Sequence, residues 1–167
     1  KISHLLWPLL NLLVAKEVMG KLGGQLRLAM AGGAPLSIEV SRMFIGLGLP
    51  ILQGYGMTEC SPVACVNSID NNVPSSVGRV IPGVAVKLNE NNSLLIHGPN
   101  VMLGYWNNPE ATAAILALDG WLNSGDMARI DNGIITITGR LKEIIVMSTG
   151  EKIPPADMEA AILRDRL

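Results

Sequence analysis

Hydrophobic and polar positions change their rhythm along this 167-residue chain, and the change falls near Val77. Residues 4–22 read as a helix, apolar nearly all round with relief at Asn11, Lys16, Glu17 and Lys21, and stopped by Gly23-Gly24. Gln25–Met30 reads as a short apolar strand running into Ala31-Gly32-Gly33-Ala34-Pro35. A second helix is predicted next, with Ser37 as its N-cap and Leu36, Val40, Met43, Phe44 and Leu47 on one face. Gly46 and Gly48 end it, and Pro50–Gln53 opens a strand that leads into Gly54-Tyr55-Gly56-Met57-Thr58-Glu59. Strand, helix, strand at this spacing predicts a βαβ unit with parallel strands and a right-handed crossover. Both glycine-rich segments then leave the carboxyl ends of parallel strands, where open α/β sheets bind ligands.

Beyond Val77, Gly78–Leu88, Ser93–His97 and Met102–Trp106 alternate in the manner of half-buried strands. Pro82-Gly83 and Asn89-Glu90-Asn91-Asn92 punctuate them. A short helix is expected from the Asn108 cap and Pro109 to about Leu118. Asp126–Ile130 and Ile134–Thr138 flank Asp131-Asn132-Gly133, a hairpin signal. A second hairpin is expected from Glu143–Met147 to Lys152-Ile153 through Ser148-Thr149-Gly150, and a last helix from Pro154-Pro155 to the end. The fold class expected is α/β: part of a parallel α/β lobe, then a small β-barrel lobe, then the start of a C-terminal α+β domain. The corresponding boundaries are 1–70, 71–140 and 141–167.

Composition narrows the classes of function. Lys+Arg 13 against Asp+Glu 14 gives a net charge of −1, without the clustered positive charge of a nucleic-acid grip or a polybasic membrane tether. Charged residues are 16% of the chain against about 25% in an ordinary soluble domain. With 49% hydrophobic residues and a mean hydropathy of +0.35, disorder is excluded. So few charges also suggest a piece of something larger, with faces that absent neighbours would cover. The apolar run Ile2–Ala15 falls short of the roughly 20 residues a spanning helix needs. No secretory leader is visible, and Cys60 and Cys65 read as buried free thiols of a reducing compartment, so the chain is expected to be cytoplasmic.

The most chemically loaded segment is Gly54–Glu59. Its glycines allow close backbone approach to a ligand, Tyr55 offers a flat face for a base, and Thr58 a hydroxyl for a phosphate oxygen. Glu59 supplies a hard carboxylate suited to Mg²⁺. A plain strand-end turn is the competing reading, and the segment is not a dinucleotide fingerprint because the third glycine is missing. Gly32–Pro35 reads either as a tight strand-to-helix turn or as a backbone-lined slot for a flat ring. Asp126 could accept two hydrogen bonds from a ribose diol or simply form a turn. Arg140 could reach sugar or phosphate or belong to a solvated charge run. His4 and His97 lack partners at catalytic spacing, and Trp106 and Trp121 read as packing residues.

Taken together, these segments resemble the adenylate-forming, AMP-binding superfamily. Gly32-Gly33-Ala34-Pro35-Leu36 and Gln53–Glu59 are similar to its adenine-binding segments; Gly98–Met102 and Gly104–Thr112 are similar to its next block. Gly120–Asp126 resembles the ribose-binding block and Gly139–Glu143 the inter-domain linker. The wording Gly-Gly-Ala-Pro-Leu, and the linker running on from Ile144 to Glu151, look most like long-chain fatty-acid–CoA ligases.

That resemblance implies two half-reactions: acid plus ATP gives acyl-adenylate and pyrophosphate, then CoA displaces AMP. It implies that Gly33, Ala34, Pro35, Gln53, Gly54 and Tyr55 frame the adenine and that Thr58 holds the α-phosphate. Glu59 would hold Mg²⁺, Asp126 and Arg140 the ribose, Lys142 the hinge of domain rotation, and Gly150 would lie near the pantetheine path. Thr58, Glu59 and Lys142 are thus the catalytic candidates. The implied partners are small molecules (fatty acid, ATP, CoA) and no nucleic acid, with room for peripheral association of the longer enzyme with the inner membrane face. The family's Ser/Thr/Gly-rich phosphate loop and late lysine are not in the 167 residues, Asn92-Ser93 stands for the usual Gly-Glu, and Val146 for a lysine of some relatives. An excised, inactive middle is therefore expected. An acyl-AMP ligase serving a carrier protein and a non-catalytic nucleotide-binding or interaction module are the alternatives.

Overall fold

The computed structural model describes residues 11–141, together with 145–146, 152–153, 155, 158 and 162. A π-helical stretch, Asn11–Ala15, continues into α1 (Lys16–Lys21), which stops where Gly23 and Gly24 turn to φ +91° and +69°. Strand β1 (Ala29–Ala31) is followed by α2 (Ile38–Gly46) and β2 (Ile51–Tyr55). The Ser37 hydroxyl accepts the Val40 amide at 3.2 Å, so the expected N-cap forms. β1 and β2 pair in parallel, with Ala31 opposite Gln53, which makes this the expected βαβ unit. Two short strands, β3 (Cys65–Val66) and β4 (Arg79–Val80), extend the sheet antiparallel in the order β1-β2-β3-β4.

The second sheet is an antiparallel meander of β5 (Ala85–Leu88), β6 (Ser93–His97), β7 (Leu122–Asp131) and β8 (Ile134–Arg140). Register shifts between Ser93 and Leu95, and between Met127 and Ala128, curl it. Helix α3 (Pro109–Ile115) packs beside β7, its first turn capped by the Asn108 side chain, which accepts the Ala111 amide at 3.0 Å. The β7–β8 turn has Asn132 and Gly133 both at positive φ, the two-residue geometry that matches strand twist. The sheets are stitched where Val77 donates to Ile135 O and Ile135 back to Gly78 O, at 2.9 and 2.8 Å. One core spans that seam, with Cys60, Ala64 and Cys65 against Leu94, Ile96, Leu122 and Ile135.

Several expectations change. Gly78–Leu88 is not one strand: Pro82-Gly83 breaks it, and its halves, β4 and β5, lie in different sheets. Met102–Trp106 is a turn rather than a strand, because Gly104 sits at φ +146° and Asn107 at +51°. Trp106 is 90% exposed and packs against nothing that would bury it. The buried side of α2 is centred on Ser41 and Phe44, while Val40 and Met43 of the expected apolar face are exposed. Among the described residues, α2 packs chiefly against β2. The helix from Asn108 also ends at Ile115, short of Leu118. β9 (Ile145–Val146) and β10 (Lys152–Ile153) pair antiparallel as the second hairpin requires, while its turn and most of the last helix lie outside the described residues.

Candidate nucleotide site

Parallel pairing brings the two glycine-rich exits side by side. Gly32 lies where a β-carbon would come within 3.5 Å of Gly54 O, and Gly33 turns at φ +79°. Gln53, buried in β2, fixes the first loop to the second: its Oε1 accepts the Leu36 amide at 3.3 Å while its Nε2 donates to Pro74 O at 2.6 Å. Gly33, Ala34 and Pro35 lie in the loop between the Gly32 approach and the Leu36 tie and are exposed. Gly56 is obligatory, since a β-carbon there would sit 1.8 Å from Pro62 O. The chain then turns through a 3₁₀ segment, Thr58–Cys60, whose first residue is exposed.

The antiparallel sheet delivers the next residues. Asp126 of β7 faces Arg140 across the ladder, and Arg140 Nε donates to Asp126 Oδ1 at 2.9 Å. Tyr55, coming from the other sheet, donates its hydroxyl to Asp126 Oδ2 at 2.6 Å. The Asp126 amide donates to Ser124 Oγ, which itself donates to Leu94 O at 2.8 Å. Burial, then the Asp126 carboxylate, drives the Tyr55 phenol well above its ordinary pKa, so it stays a donor throughout the usual range. Asp126 is 7% exposed; its Oδ1 accepts from Arg140 and its Oδ2 from Tyr55, and a carboxylate oxygen has two lone pairs with which to accept. Such a group accepts two hydroxyls, the pattern of a cis-diol.

Glu59 receives the Tyr105 hydroxyl on Oε1 at 2.6 Å. No group of three or more His, Cys, Asp or Glu that could hold a metal occurs among the described residues. A lone carboxylate suits Mg²⁺, which binds through one or two carboxylates plus substrate phosphates and water. Lys142 and Gly150 lie outside the described residues. Sequence reasoning gave no role to Tyr105 or Asn100. Their signal was present, because both fall in the blocks Gly98–Met102 and Gly104–Thr112, but their partners are 37 to 46 residues away. Cys60 and Cys65 are buried free thiols as expected. His97 and Trp121 stack at 5.2 Å between ring centroids, with Lys87 Nζ 4.0 Å over the indole.

Parallel strands ending in two adjoining glycine loops, with a donor-loaded carboxylate brought up by a second sheet, define an adenylate-forming type of fold. The chain belongs to the AMP-binding enzyme family, whose pattern it matches over residues 2–106. Among its relatives, a long-chain-fatty-acid–CoA ligase of Mycobacterium bovis is 38% identical over 88% of this chain and 24% of that protein. A chloroplastic long-chain-fatty-acid–[acyl-carrier-protein] ligase of Arabidopsis thaliana is 35% identical over 99% of this chain and 26% of its own length. The chain thus spans about a quarter of the length of the curated relatives it matches. Among solved structures, ATP-bound MatB from Rhodopseudomonas palustris superposes with a TM-score of 0.78 at 31% identity, over 90% of this chain and 32% of MatB.

Proposed function

We propose that this chain is the nucleotide-holding middle of an ATP-dependent, AMP-forming ligase that activates a long-chain fatty acid and passes it to CoA. The observation that carries the reading is the Tyr55–Asp126–Arg140 cluster: two sheets converge on one carboxylate whose lone pairs suit a ribose. Similarity to fatty-acid ligases supports the substrate class. In this reading Gly33, Ala34, Pro35, Gln53, Gly54 and Tyr55 frame the adenine, and Asp126 accepts the ribose hydroxyls while Arg140 and Tyr55 hold it still. Thr58 donates to an α-phosphate oxygen, which positions the phosphorus for attack by the fatty-acid carboxylate. Glu59 would hold Mg²⁺, which when bound neutralises charge on the leaving pyrophosphate. Lys142 serves the rotation between half-reactions, and Gly150 lies beside the incoming CoA. Segments 1–70, 71–140 and 141–167 are then the end of the α/β lobe, the β-barrel lobe, and the hinge with the start of the small domain. The place of work is the cytoplasm, with the longer enzyme touching the inner membrane face.

A carrier-protein acceptor is the second reading, favoured by the Arabidopsis relative. Whether acyl-CoA or acyl-carrier product forms separates the two in the longer enzyme. For the chain itself the test is calorimetric titration with AMP. Binding is expected, GMP should bind more weakly by about 1–3 kcal/mol because its 6-oxo group leaves backbone carbonyls without a donor, and Asp126→Ala should remove about 1.5–3 kcal/mol. Incubated with ATP, Mg²⁺, palmitate and CoA, the chain should yield no palmitoyl-CoA, since the phosphate loop and late lysine are absent from the sequence. Equal affinity for AMP and GMP would sink the adenine assignment.

A further inference from the structure

Glu59 is held by more than its own turn. The segment 100–105 grips residues 59–63 at several points: Met102 N donates to Glu59 O at 2.8 Å, and Asn100 Nδ2 donates to Cys60 O and Val63 O at 3.0 and 2.8 Å. The last tie is the Tyr105 hydroxyl on Glu59 Oε1. Tyr105 is itself braced from behind. Its amide donates to Thr112 Oγ1 at 2.9 Å, and that hydroxyl donates to Asn108 O at 2.9 Å, within the capped first turns of α3. Gly104 is what lets the chain lie so close, since a β-carbon there would meet Thr112 Cγ2 at 2.9 Å. A continuous line therefore runs from the Asn108 cap through Thr112 and Tyr105 to the Glu59 carboxylate. A phenol on a carboxylate at this distance is a charge-assisted bond, among the strongest single hydrogen bonds a side chain makes.

We infer that Tyr105 is the positioning residue of Glu59, its phenol fixing the carboxylate in the orientation in which a phosphate-bound divalent cation meets it. The inference rests on the nucleotide reading above and adds a residue to which that reading gives no part. Tyr105 does not touch the cation or the nucleotide; it acts through Glu59. Outer-shell partners of metal-binding carboxylates typically matter by about 10–100-fold in metal affinity.

The experiment measures Mn²⁺ binding to the 167-residue chain by electron paramagnetic resonance, with and without millimolar ATP, and ATP binding without metal by calorimetry. Tyr105→Phe is expected to weaken Mn²⁺ in the presence of ATP about tenfold, while metal-free ATP affinity stays within about twofold. In a Glu59→Gln background the same change should have no further effect, the mark of two residues acting as one unit. Thr112→Ala should reproduce part of the Tyr105→Phe effect. Unchanged Mn²⁺ affinity in Tyr105→Phe, additive losses in the double variant, or an equal loss of metal-free ATP binding would each overturn the inference and leave the nucleotide reading standing. A wild-type chain that binds no Mn²⁺ even with ATP present would overturn both.

Discussion

Helix α2 and strand β6 are built from similarly apolar residues, yet they end in opposite environments. Leu94 and Ile96 of β6 are fully buried, whereas Val40, Met43 and Ile45 of α2 are 38%, 53% and 37% exposed. The difference is one of topology. An antiparallel meander closes its own neighbourhood, because β5 and β7 arrive within a few dozen residues and flank β6 on both sides, with β8 next beyond β7. A βαβ unit has one parallel neighbour per crossover, and its layers depend on further βα units to be covered on both faces. In this chain the meander buries its central strand, while the helix of the βαβ unit keeps apolar side chains exposed. The candidate site lies across the two regions. The βαβ unit supplies the glycine loops, and the meander supplies the carboxylate that receives Tyr55.

The most drastic way to break the contrast is to separate the two regions at their seam. Gly78 sits at φ +82° with a virtual β-carbon 2.1 Å from Val66 O and 2.3 Å from Asn67 N, all backbone that cannot swing aside. Gly78→Ala should cost more than about 4 kcal/mol by denaturant unfolding, since it combines positive-φ strain with a backbone clash. Gly125 is the control: its φ is +73° but nothing lies within 4 Å, so Gly125→Ala should cost only about 1–2 kcal/mol. Equal effects would show that the sheets are not held together at Gly78.

Truncation within each region gives the next largest effect and tests the contrast directly. Leu94→Ala removes a fully buried side chain from the meander and should cost about 2–5 kcal/mol. Met43→Ala shortens a side chain of comparable size on α2 and should stay within about 0.5 kcal/mol. A Met43→Ala loss as large as that of Leu94→Ala would mean the α2 face is covered in solution.

What the sequence disclosed divides along the same line. Ser37, Asn108-Pro109 and Asn132-Gly133 act on backbone groups within four residues, so cap and turn chemistry could be read from neighbours alone. The glycine exits were legible because a βαβ repeat fixes where strands end. The split of Gly78–Leu88 between two sheets was not, because alternation is the same whichever sheet receives it; only Pro82-Gly83 hinted at a break. Trp106 shows the limit of composition: an indole usually packs, and its exposure follows from the turn geometry at Gly104 and Asn107. The pairs Tyr55–Asp126 and Glu59–Tyr105 join residues 71 and 46 apart, so nothing local announces them. Without the family resemblance, Asp126 would have stayed as good a turn residue as a ribose acceptor.

The smallest effect concerns how dry the seam between the regions is. Cys65, on β3 against β2, is fully buried, and that burial, helped by the neighbouring Cys60, pushes its thiol from 9.0 up to about 12. Burial raises the Cys60 thiol as well. A raised folded pKa has a definite sign in stability. Well below pH 9 both states carry the proton and nothing is lost; as pH rises through 9 the unfolded thiol ionises while the folded one does not, so stability falls as pH climbs toward 12. Between pH 8 and pH 9 the Cys65 share is only about 0.4 kcal/mol, growing at up to about 1.4 kcal/mol per further pH unit. Denaturant unfolding at several alkaline pH values should show this slope, and Cys65→Ala should flatten it by one proton's worth. Iodoacetamide at pH 8 should label the unfolded chain at Cys65 and leave the folded chain nearly untouched, because the reactive species is the thiolate. An unchanged slope in Cys65→Ala, or fast labelling of the folded chain, would mean that water reaches the seam and that the two regions meet less tightly than the shared core of Cys60, Cys65, Leu94 and Ile135 implies.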